Sequence, residues 1–343
     1  MSQIETDASA LRPAICTLTG MLRKISLPLS MLILGASLSG CSGASNETDK
    51  KEPQAAAETC AANEIICGQK LSEKSVWAKY AVYLKTSKQQ GPETKSVGAC
   101  TGVLIHPRVV LTAAHCFRDH SNGIKADSAL AIFSGKPFAN QGADLNNVER
   151  RRISQRIIIH ENFRPRNETF PQPVNDILVE LHQEATNDIA LVILASDAPK
   201  EYSFVTEMST RWNGNENVQI VSSDNTLYFL GFGFVSSSNA GDRSLKIMSQ
   251  QLGEQRVSSI FHRSNEFVWN QKQGGKICHG DSGGPIYSRR ADRRIVLVGI
   301  NQLVYTKDDN SPACSEFGVG TAVAPYRSWI RAQLKHLNLK FDE

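Results

Sequence analysis

The sequence predicts an all-β protein, a sandwich or barrel, with a separate leader in front and one helix at the end. From Val76 onward the chain is built of short apolar runs rich in β-branched and aromatic side chains: VWAKYAVYL, GVLIHPRVVLTA, RRISQRIIIH, DIALVILA, TLYFLGFGF and RIVLVGINQLVY. Gly, Pro, Asn and Asp bound these runs, and such residues end strands and build turns. Helical spacing is found mainly at the C-terminus, where Pro325 to Ile330 opens a stretch carrying Ile330, Leu334 and Leu337 on one face. Many short strands with turn residues between them suit a closed or layered β architecture.

Ahead of the strands, residues 21–40 read MLRKISLPLSMLILGASLSG, with basic Arg23 and Lys24, an apolar run from Ile25 to Leu38, and small residues before Cys41. This is the pattern of an export signal, and its apolar run is short for a membrane span. A leader starting at Met21 has normal length, which makes residues 1–20 an upstream misread start. Leu38-Ser39-Gly40-Cys41 resembles the lipobox of bacterial lipoproteins. The resemblance implies that the signal is cut before Cys41, that Cys41 is lipidated, and that the exported protein is anchored to a membrane in the periplasm or at the cell surface. The alternative is ordinary signal cleavage with Cys41 left as a plain thiol. Residues 42–59, SGASNETDKKEPQAAAET, carry almost no large apolar side chain and read as a flexible tether, so that 41–64 is anchor and tether or propeptide.

The chain has 343 residues, 41% of them hydrophobic, with 38 basic against 34 acidic side chains and a net charge of +4. That composition supports a buried core. No basic tract is long or aromatic-rich enough for a nucleic-acid surface. Of the eight cysteines, Cys16 and Cys41 lie in the leader; Cys60, Cys67, Cys100, Cys116, Cys278 and Cys314 form an even set at loop-like spacing. Such a set points to disulfides formed outside the cytoplasm. Free or metal-bound thiols are the alternative, but no CxxC pair or Cys/His cluster has zinc spacing, and neither metal nor cofactor is expected.

Chemistry is concentrated in Gly280-Asp281-Ser282-Gly283-Gly284-Pro285. A serine hydroxyl is a poor nucleophile unless a base takes its proton and donors stabilise the resulting oxyanion. Glycines beside it let the backbone turn so that two N–H groups point into one pocket, here those of Gly280 and Ser282. Upstream stand Leu111-Thr112-Ala113-Ala114-His115-Cys116 and Asn187-Asp188-Ile189-Ala190-Leu191. The order His, Asp, Ser with these local sequences resembles the chymotrypsin/trypsin family of serine proteases, over residues 65–343.

The resemblance implies two antiparallel six-stranded Greek-key β-barrels, at 65–200 and 201–325, and a terminal helix over 325–337, with the site in the cleft between barrels. It implies hydrolysis of protein or peptide substrates through an acyl-enzyme, with Ser282 as nucleophile, His115 as base then acid, and Asp188 orienting the imidazole. It pairs Cys100 with Cys116 and Cys278 with Cys314, and Gly231-Phe232-Gly233 replaces the family's Gly-Trp-Gly. Asp188 has a competitor in Asn175-Asp176-Ile177-Leu178, which is closer to Ile158-Ile159-His160, where spacing favours it. The continuous apolar run IALVILA after Asp188, against the charge-broken ILVELHQE after Asp176, selects Asp188 and makes 164–186 an inserted loop.

In the family a cut frees an Ile amino terminus that pairs with the aspartate beside the serine, here Asp281, and Ile65-Ile66-Cys67-Gly68 is the nearest counterpart. Cys67 is unusual there, and pairing with Cys60 would tether the cut end. An uncut zymogen, or a binding module that keeps the fold without turnover, is therefore the alternative function. The residue six before the serine, at the floor of the primary pocket in the family, is Lys276, and Gln302, Val304 and Gly318 are its expected wall. A buried ammonium there implies an acidic or small residue before the cut bond.

Overall fold

The computed structural model describes residues 68–119, 121–137, 146–165, 186–210, 226–233, 244–251, 257–258, 265–271, 275–305, 314 and 317–339. Cys41, Cys60, Ile65, Cys67, Asp176, the signal and the tether lie outside these residues. The described residues all fall in the second of two units, Glu52–Glu343, the first being Met1–Lys51. Among them no helix is long and apolar enough to cross a membrane.

After a two-residue strand β1 (Gln69–Lys70), the first barrel is made of β2 (Ala81–Gln90), β3 (Glu93–His106), β4 (Val109–Thr112), β5 (Ser128–Ile132), β6 (Arg151–Ile159) and β7 (Ala190–Leu194). These close in the order β2-β3-β4-β7-β6-β5, which leaves no strand edge unpaired. Every residue of β4 (VVLT) and β7 (ALVIL) is buried, the expected consequence of a continuous apolar run. A Gly91-Pro92 turn joins β2 to β3, and Gly91 supplies its left-handed position at φ +60°. The run VWAKYAVYL is not one strand: Val76–Lys79 is a turn of 3₁₀ helix, and β2 starts at Ala81.

The second sheet contains β8 (Thr226–Gly231), β9 (Lys246–Gln251), β10 (Val257–Ser258), β11 (Glu266–Asn270), β12 (Pro285–Arg289), β13 (Ile295–Tyr305) and β14 (Phe317–Ala322). Its order is β1-β9-β8-β12-β13-β14-β11-β10. Six antiparallel strands from β9 to β11 form its body, and the two-residue β1 and β10 extend it at either side. The chain around residue 69 thus joins the second sheet rather than the first barrel, because Gln69 and Lys70 pair with Ile247 and Lys246. The chain ends on α1 (Arg327–His336), whose Ile330 and Leu334, four apart, are its buried face.

One apolar core runs through the first barrel and the second sheet, with Leu104, Leu111 and Leu191 from the barrel and Leu230, Tyr287 and Leu297 from the sheet. Trp77 joins them, its ring 5.1 Å from that of Tyr228 and 5.6 Å from that of Tyr287. The functional residues lie along this junction: His115 just after β4, Asp188 just before β7 and Ser282 just before β12.

Candidate active site

His115 sits in a 3₁₀ turn, Ala114–Cys116, held to β3 by the Cys100–Cys116 disulfide with a Cα separation of 6.4 Å. Its Nδ1 is 2.7 Å from Asp188 Oδ2, and its backbone N–H donates to Asp188 Oδ1 at 2.9 Å. Two bonds from one residue to both carboxylate oxygens fix the ring's rotation as well as its distance. Asp188 is 3% exposed. Burial alone would raise its pKa, but the His115 charge and hydrogen bonds, with the Ala114 N–H, outweigh that and hold the carboxyl below its usual range.

Thr186, Asn187 and Asp188 are each bonded across to the second sheet or to Tyr326, just before α1. Thr186 Oγ1 donates to Glu266 Oε1, Tyr326 Oη donates to Asn187 Oδ1 at 3.0 Å, and Thr321 Oγ1 donates to Asp188 O at 3.3 Å. Asn187 is left-handed at φ +50°, a conformation Asn tolerates better than most side chains. Gln302 completes the group: its Nε2 donates to Thr186 Oγ1 at 2.7 Å and Glu266 Oε1 at 2.9 Å.

Ser282 is tied to the first barrel through Thr101. The Thr101 N–H donates to Ser282 O at 2.8 Å, and its hydroxyl donates to Gly280 O at 2.8 Å while accepting from Phe232 N at 3.1 Å. The left-handed glycines of the turn are Gly280 (φ +98°) and Gly283 (φ +78°). A Cβ on Gly283 would overlap Thr112 Oγ1 and stand 2.5 Å from Thr101 O, so glycine is needed there for conformation and for space. Asp281 turns inward: Oδ1 accepts from Gly233 N and Oδ2 from Cys278 N, both at 2.7 Å. Gly231 and Gly233 are glycines because Asp281 occupies the space where their Cβ atoms would be.

His115, Asp188 and Ser282 line one cavity of ≈ 630 Å³. Ile277, Leu303 and Val304 give one part of it an apolar wall, backed by the Cys278–Cys314 disulfide, while Arg118, Lys125 and Arg164 supply cations elsewhere. Buried Gln271 braces the wall, accepting from Ile277 N at 2.8 Å and donating to Cys314 O at 3.1 Å.

Of the expected pocket residues, Gln302 and Val304 line this cavity. Lys276 instead lines a separate small cavity with Asp281 and Lys246. Gly318 lies against Trp269, whose ring a Cβ there would overlap. The reason for both is local: Gly318 pairs directly with Trp269 on the neighbouring strand, and of the adjacent residues Lys276 and Ile277 it is Ile277, braced by Gln271, that lines the cavity with Ser282. A cavity of ≈ 670 Å³ lies elsewhere, around Glu207, Arg290, Arg294 and Arg327, and contains none of these groups. The donor atoms of Cys100, His115 and Cys116 lie within 4.8 Å of one another, but the two sulfurs are bonded to each other and so are not thiolate ligands.

Thr101, Glu266, Gln271 and Lys246 were not singled out by the sequence. Their roles depend on which strands lie side by side, and their local sequences carry no mark of it.

The trypsin family model matches residues 65–330. Similar proteins include granzyme C of Mus musculus, 26% identical over 281 residues, covering 80% of this chain and 93% of that protein. Granzyme B of Rattus norvegicus is 27% identical over 280 residues, covering 80% and 92%. Alkaline trypsin B of Manduca sexta is 25% identical over 243 residues, covering 68% and 78%. Among solved structures, HL collagenase aligns with a TM-score of 0.52 at 20% identity, over 81% of this chain and 100% of that one, a likeness of fold. This chain belongs to the trypsin family of serine proteases.

Proposed function

We propose that this chain is an exported serine endopeptidase, anchored to a membrane by a lipid on Cys41, that hydrolyses peptide bonds with His115, Asp188 and Ser282. The observation that supports it most is the doubly bonded His115–Asp188 pair sharing one cavity with Ser282. An ionised, buried Asp188 keeps Nδ1 protonated, which leaves Nε2 free to take the Ser282 hydroxyl proton as Oγ bonds to the scissile carbonyl. The oxyanion that forms is received by the N–H groups of Gly280 and Ser282. His115 then passes its proton to the leaving amine, and a water repeats the sequence to free Ser282 from the acyl-enzyme.

The apolar wall of Ile277, Leu303 and Val304 favours an apolar or small side chain before the cut bond. Lys276 lines a different cavity, which supports an apolar or small preference over an acidic one. A quenched-peptide library incubated with the mature protein tests this reading. Cleavage after apolar or small residues, lost in Ser282→Ala, supports it; cleavage that persists in Ser282→Ala overturns it.

A further inference from the structure

Asp281 is 5% exposed, and the groups bonded to its carboxylate are backbone amides. Amide dipoles satisfy its oxygens but carry no net charge, and a buried carboxylate without counter-charge is costly. Burial accordingly pushes its pKa up to about 6, despite the two amides and the charge of Lys246.

Lys246 opens β9, between Gly231 on β8 and Lys70 on β1. It is 5% exposed, an unusual place for an ammonium, and its Nζ donates to Ser244 O at 3.2 Å. Lys246 and Asp281 line the same cavity, with Gly68, Gly231 and Lys276. That cavity is ≈ 10 Å³, room for about one water. Among the described residues, Lys246, Lys276 and Asp281 are the charged groups lining it, so a further cation arriving there would meet two ammonium groups.

We propose that Lys246 is the internal counter-ion of Asp281 and a positioning residue that holds the Gly280–Ser282 turn in working shape in the uncut chain. This rests on the reading of the site as a serine endopeptidase. A rigid strand residue presents the cation, Asp281 is drawn inward under Gly231 and Gly233, and the turn that carries Ser282 is fixed from beneath. An amino terminus freed before Ile65 is then not required for turnover.

The test uses protein whose uncut amino terminus is verified by mass spectrometry, a fluorophosphonate to report on Ser282, and a quenched peptide to separate kcat from KM. The uncut protein is expected to label. Lys246→Met should lower kcat at least tenfold with little change in KM, and Lys246→Arg should stay within threefold of the parent. In an Asp281→Asn background, Lys246→Met should cost less than threefold, because the charge it served is gone; Lys246→Gln in the same cycle replaces it if Lys246→Met does not fold. Equal losses in both backgrounds would overturn the proposal, as would uncut protein that labels only after an engineered cut directly before Ile65. If neither form labels, the endopeptidase reading itself fails, an outcome distinct from either of these.

Discussion

At the scale of single residues, charge burial decides most of what matters in the site. Asp188 and Asp281 are both buried carboxylates, yet their pKa values move in opposite directions, because Asp188 has His115 beside it and Asp281 has mainly amides. Asp188→Asn should lower kcat on the order of ten-thousandfold with the fold intact, while Asp176→Asn leaves the rate within threefold; steady-state kinetics and thermal melting of both variants check this. For Asp281 the folded pKa, about 6, lies above the usual 3.8. The stability linked to this group is therefore fully present below pH 3.8 and is lost as pH rises through about 6, on the order of 3 kcal/mol. Asp281→Asn should abolish that pH-dependent part, which urea unfolding at pH 4 and pH 7.5 measures directly. The strand after Asp188 was legible, because the apolar run that follows it forms the wholly buried β7. The place of Lys276 was not: its position six before Ser282 fixes the count along the chain but not the direction of the side chain.

At the scale of elements, the site depends on joints between the first barrel and the second sheet. Thr101 on β3 is the main one, bonded to the Ser282 turn through both its backbone and its hydroxyl. Thr101→Val keeps the shape and removes the hydroxyl, leaving buried Phe232 N–H and Gly280 C=O groups without it. It should cost roughly 1–3 kcal/mol of stability and lower kcat more than it raises KM; denaturant melts with paired kinetics separate the two effects. The strands themselves were legible wherever an apolar run was bounded by turn residues, as in DIALVILA and TLYFLGFGF. VWAKYAVYL misled because Trp77 and Ala78 are buried by a 3₁₀ turn, which a run of apolar letters does not distinguish from a strand. The registers that bring Glu266 beside Thr186, and Lys246 beside Gly231, follow from sheet closure and leave no trace in the local sequence.

At the scale of the whole molecule, the proposed reading puts a leader and a polar tether ahead of the trypsin-family domain. If Cys41 carries the lipid, Cys41→Ser should move the protein from membrane to soluble fractions while its peptidase activity persists; continued membrane retention of that variant with its leader cut would contradict the anchor. The architecture of two β-sheets was legible as a whole because the local sequences around His115, Asp188 and Ser282 occur in a fixed order. The union of β1 with the second sheet was not, because it depends on two residues paired across a long sequence separation. The central claim is that the barrel and the sheet bring His115 and Asp188 to bear on Ser282 as a nucleophile. Fluorophosphonate treatment of the mature protein, followed by peptide mapping in the mass spectrometer, tests it most directly. The expected result is a single adduct on Ser282 that His115→Ala suppresses; a mature, folded protein that takes no label, or takes it equally without His115, would contradict the account.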